Sequence, residues 1–232
     1  MDLGKGYPMQ FPIDIIMVFF QLFIVAEKLD ENRLAGLFSR DVAVRRGVYH
    51  FAKQSLVGLK RKESMLLIKL ALYSDGFSNK PGKLPSSDDD YYSPRRIALA
   101  IVSDWHESEL IEPLINLIDS TRGAGDTDAP LHEQYPAIKG LINIGTPALK
   151  PCLREIADIH YQEPFLTEKI SRDARKSSHL LYVVWGILGY DESLKLFAKE
   201  ISRIETDNPK GADNLKTAVE RFKNNALFKY KK

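Results

Sequence analysis

The chain has 232 residues, 44% of them apolar, with 33 Lys and Arg against 31 Asp and Glu, a net charge of +2. That apolar content excludes wholesale disorder, and near-neutrality lacks the basic excess that a dedicated nucleic-acid binder carries. A single cysteine, Cys152, excludes an intrachain disulfide and any cysteine-based zinc site, and on an apolar helical stripe it reads as a small buried hydrophobe.

Residues 15–26 are apolar except for Gln21. Twelve residues are too few to span a bilayer, which takes about 20. Asp2, Lys5 and Asp14 precede the run, so it has no basic flank of the signal-peptide kind. A buried first helix is the reading placed first; an export signal or a membrane attachment through residues 12–26 is the alternative. Localisation stays open between cytoplasm and export. A helix that is apolar all round needs a cover, from the chain itself, a partner or lipid.

Residues 48–57 and 65–72 have helical patterns around Gly58, with the basic run Lys60-Arg61-Lys62 between them. Residues 74–93 then carry Gly76, Pro81, Gly82, Pro85 and the acidic run Asp88-Asp89-Asp90, and predict a long loop. Three consecutive aspartates do not match the alternate spacing of a calcium loop. The expected organisation is an apolar segment at 1–30, irregular helical pairs at 31–73, a loop at 74–93, and regular pairs with a cap at 94–228.

The regular part begins with an apolar helix at 97–102, followed by Asp104-Trp105-His106. A second helix then carries Leu110, Leu114, Leu117 and Ile118 on one face. After a loop at 121–130, a helix at 135–144 ends at Gly145. Leu149, Cys152, Leu153, Ile156 and Ala157 continue at i, i+3, i+4, i+7 and i+8. Thr146 is placed to cap this helix and Pro147 to begin it. Connections this short predict that the two helices lie antiparallel. A further pair is read at 180–188 and 194–201 around Gly189, and a closing amphipathic helix at 213–228. The turn positions Gly58, Trp105, Gly145 and Gly189 are 47, 40 and 44 residues apart, within the 40–47 range of helix-pair repeats.

Residues 138–153, Ile-Lys-Gly-Leu-Ile-Asn-Ile-Gly-Thr-Pro-Ala-Leu-Lys-Pro-Cys-Leu, resemble a HEAT-like repeat of the armadillo type. The first helix of that repeat ends in Leu-Gly, and the second begins Ala-Leu. The resemblance extends to 93–120 and 178–205. It implies an all-α fold, a right-handed α-α superhelix of about four helix pairs plus a C-terminal capping helix. Two departures stand out. Trp105 stands where a turn glycine belongs, and Pro113 and Pro151 fall inside second helices, where each is expected to bend its helix.

The sequence holds no zinc-protease, nucleophile-elbow, P-loop or dinucleotide-binding motif. His160 and Glu163 have metal-like spacing but straddle Pro164 near a helix end. The expected function is a non-enzymatic protein-binding or scaffold module, with a protein partner and no cofactor. Candidate binding residues are Asp104 and Trp105 at a turn, and Glu112, Lys150, Arg154, Lys195 and Lys199 on second helices, which line the concave face of a solenoid. The alternatives implied by the resemblance are a DNA-alkylation glycosylase, in which Asp104 beside Trp105 is the only candidate pair, and a bilin lyase-like protein. A membrane-attached repeat protein is the third.

Overall fold

The computed structural model describes residues 33–54, 62–73, 92–120, 130–159, 168–225 and 228. Among these residues the chain is all-helical and holds no strand. A 3-10 turn at Gly36–Phe38 leads into α1 (Val42–Gln54), whose first amides include one capped by Asp41 Oδ1 at 2.8 Å from Ala43 N. Then come α2 (Lys62–Tyr73) and α3 (Pro94–Val102). Ser93 caps α3 by accepting from Arg96 N, and Pro94 opens it, where its missing N–H costs nothing. The remaining helices are α4 (Ile111–Asn116), the one-turn α5 (Leu131–Gln134), α6 (Pro136–Ile144), α7 (Leu149–Asp158), α8 (Glu168–Leu188), α9 (Tyr190–Ile204) and α10 (Pro209–Asn224).

Two rows of neighbours organise these helices. In one row α3 touches α6 and α6 packs along α8; in the other α2 touches α4 and α4 touches α7. The rows are joined where α2 meets α3, α4 meets α6 and α7 meets α8. One cluster of buried side chains runs from Leu34 to Phe228, so the described parts of 31–73 and 94–228 share a core. Cys152 is fully buried in it.

The central units repeat in detail. α3 and α6 are nine residues each and both begin with proline. Each is followed by a 3-10 turn, Ser108–Leu110 or Thr146–Ala148, and then by a helix with proline at its third position, Pro113 or Pro151. The first four N–H groups of a helix have no intrahelical acceptor, so neither proline breaks a bond and neither forces the expected bend. Counted from the start of the 3-10 turns, Glu107 is the counterpart of Gly145, and Trp105 does not replace the turn glycine.

Two further expectations are corrected. Thr146 makes no side-chain cap; it opens the 3-10 turn, and α7 begins three residues later. The helices flanking Gly145 each pack mainly on other helices, α6 on α8 and α4, and α7 on α10 and α8. α8, further along the chain, packs on both of them. The closing helix starts at Pro209 rather than 213, because the Asn208 side chain accepts from Gly211 N at 2.9 Å and Pro209 follows it. It packs on α7 as well as α9, and Asn214 Nδ2 donates to Ala157 O at 2.7 Å, satisfying a carbonyl at the end of α7. Gly145 and Gly189 sit at φ 79° and 80°, a region closed to most side chains, as the turn readings require. The segments 1–32, 55–61, 74–91, 121–129 and 160–167 lie outside the described residues. With them go the readings on the apolar run, Gly58, Lys60-Arg61, the aspartate run, His160 and Glu163.

A candidate binding recess between α6 and α8

α8 approaches α6 closely because it carries a glycine where they meet. A Cβ on Gly186 would lie 2.6 Å from Ile142 Cδ1. Ile142 shares one face of α6 with Lys139 and Asn143, at i, i+3 and i+4. On α8, Tyr182 and Trp185 follow the same i, i+3 rule, their rings 5.1 Å apart, and Trp185 is backed by Phe228 at 5.8 Å. The one-turn helix α5 supplies His132, whose Nδ1 lies 3.1 Å from the Tyr182 hydroxyl and whose ring stacks on that ring at 6.3 Å. All of these residues but Phe228 line a recess of about 300 Å³. Burial pushes the Tyr182 hydroxyl above the usual phenol range, so it stays protonated at neutral pH.

The turn after α3 is clasped to this site from outside. Lys139 pairs with Asp104. Asn143 donates to Ser103 O at 2.7 Å, and His106 Nδ1 lies 2.6 Å from Asn143 O. A carbonyl only accepts, so His106 carries its proton on Nδ1. Asp104 therefore reaches the recess through Lys139, with both side chains open to solvent. Trp105 points the other way and joins the core at 9% exposure. The two members of the sequence pair are adjacent in the chain and face opposite environments.

The other predicted residues lie on α4, α7 and α9, and none lines the recess. Glu112 and Arg154 pair with each other at 2.6 Å, bridging α4 and α7. Lys195 pairs with Glu192 one turn back at 2.7 Å. Lys150 and Lys199 act through space on Glu200, whose carboxyl is held below the usual glutamate range chiefly by its hydrogen bond from Arg203. Lys69 and Glu109 add a pair between α2 and the 3-10 turn before α4. Glu112, Arg154, Lys195, Lys69 and Glu109 are thus held in locally matched pairs.

Sequence reasoning missed the recess itself. Two signals were present: a glycine inside an otherwise continuous helix, and two aromatic residues three apart beside it. Among the described residues, no group of three His, Cys, Asp or Glu side chains is arranged to hold a metal ion, and no helix is long and apolar enough to cross a membrane. Compared with family models, curated proteins and solved structures, the chain matches none.

Proposed function

We propose that the chain is a non-catalytic protein-binding module, a short right-handed HEAT-like solenoid whose recess between α6 and α8 takes side chains from a partner segment. The repeated order of helix, 3-10 turn and proline-bearing helix, and the two rows of neighbours, support the solenoid reading. The recess carries the binding reading. Its floor is aromatic and aliphatic, with a hydroxyl and an imidazole at one side and a cation at the rim. About 300 Å³ is the small end for ligand sites and suits one or two side chains of a peptide.

The rim selects charge. Lys139 is held by an exposed carboxylate, and such pairs contribute only about 0–1 kcal/mol. A partner carboxylate can replace Asp104 at little cost. The favoured segment therefore carries an apolar or aromatic side chain next to an acidic one.

Selection from a displayed peptide library on the full chain tests this. Enriched peptides are expected to combine an apolar and an acidic residue, and to lose at least about tenfold in affinity, some 1.4 kcal/mol, on Lys139→Glu. The control Lys223→Glu, on α10, is expected to leave affinity unchanged. Peptides that bind Lys139→Glu as well as the parent, or no enrichment at all, would sink the proposal.

A further inference from the structure

The exposed large hydrophobics among the described residues are Phe38, Val44, Leu66, Leu70 and Tyr73, all before residue 74. Three of them form a ridge. Leu66, Leu70 and Tyr73 sit at i, i+4 and i+7 on α2, exposed by 58%, 52% and 59%. The opposite face of the same helix buries Ile68, Ala71 and Leu72 completely. α2 is thus apolar on two opposite faces, a pattern that belongs to a helix covered on both sides.

We infer that the ridge on α2 is the docking surface for this chain's own apolar segment, residues 15–26. Residues 1–32 precede the first described residue, and their longest apolar stretch ends at Ala26. Six residues, 27–32, connect it to Arg33, a reach of about 20 Å when extended. The turn Gly36–Phe38 and α2 both pack on α3. The foot of the connection and α2 are therefore neighbours of the same helix. Leu34 and Leu37 are fully buried, which anchors the connection at its foot.

Tethering favours this occupant over a second copy. A short linker gives an effective concentration on the order of millimolar, far above the micromolar concentrations at which a separate chain competes. One docking event also takes apolar surface of the segment and of the ridge out of water together.

Cross-linking on the full chain tests this. Cys152→Ala removes the native thiol, and Val18→Cys with Leu70→Cys places one thiol in each surface. Oxidation is expected to link them within one chain, at least about tenfold faster than Val18→Cys with Lys223→Cys on α10, as local concentration dictates. A second measurement uses Leu66→Glu with Leu70→Glu, which leaves the buried face of α2 intact. Its helical melt is expected to persist while hydrogen exchange across 15–26 accelerates at least about tenfold. The inference is overturned if links form only between chains, which marks a second copy. It is equally overturned if exchange across 15–26 is unchanged. Flotation of the parent with phosphatidylcholine vesicles, without an intrachain link, would assign the segment to lipid instead.

Discussion

α2 and α10 lie at opposite ends of the packing series and are built in opposite ways. α10 buries Leu215, Ala218, Val219 and Phe222 on one face and shows solvent a polar face with the pairs Lys216–Asp213 and Lys223–Glu220. α2 buries one face and exposes a second apolar one. The difference separates a finished end from an unfinished one. A helix that closes a stack needs polar residues where no neighbour comes. α10 meets that need, and α2 requires another surface.

The strongest way to break this contrast is through the cap. Phe222 is fully buried, with rings of Tyr190, Phe197 and Phe228 at 5.2, 5.4 and 4.5 Å. Phe222→Ala is expected to cost about 3–5 kcal/mol, read from the urea midpoint. Cys152 reports the same end of the molecule, because α10 packs along α7. Burial pushes its thiol up to about 12, so the reactive thiolate is scarce at pH 8. Alkylation in the native protein is expected to run roughly a thousandfold slower than for a free cysteine, and faster in Phe222→Ala.

At the other end, Leu70→Ala sharpens the comparison. The described neighbours alone predict a change of about 0.5 kcal/mol or less. A measured cost near 2 kcal/mol places a cover over the ridge. Asn208→Ala removes the cap of α10 and is expected to cost about 1 kcal/mol in the same unfolding measurement. The smallest effect is expected from Glu112 and Arg154, both mostly exposed. A double-mutant cycle on that pair is expected to give no more than about 1 kcal/mol, falling with added salt.

pH acts on α9 through Glu200. Its carboxyl is held below the usual glutamate range, so the stability it contributes is present above that range. It is lost as pH falls through the lowered value.

Much of the helical framework was legible because its signals are local. The stripe on α7 and the glycines at 145 and 189 follow from 3.6-residue periodicity and backbone sterics. Where the reading failed, competing local signals were misjudged. Thr146-Pro147 resembles a cap, yet the chain makes a 3-10 turn there, and Asn208-Pro209 was the true start of α10. The site was legible only in part. Asp104 and Trp105 stood out as a pair, but which of them meets solvent depends on α6, 35 residues from Asp104.

By itself the sequence determined that this chain is helical, that its turns fall at particular glycines, and that Cys152 belongs inside. Each of those follows from interactions over a few residues. Only the tertiary structure decided that His132 meets Tyr182 across 50 residues, that Gly186 admits Ile142, and that the charged second helices pair among themselves. Those outcomes depend on which apolar stripe finds which neighbour. Helices of similar pattern compete for the same partners, and close packing of the whole set selects among them.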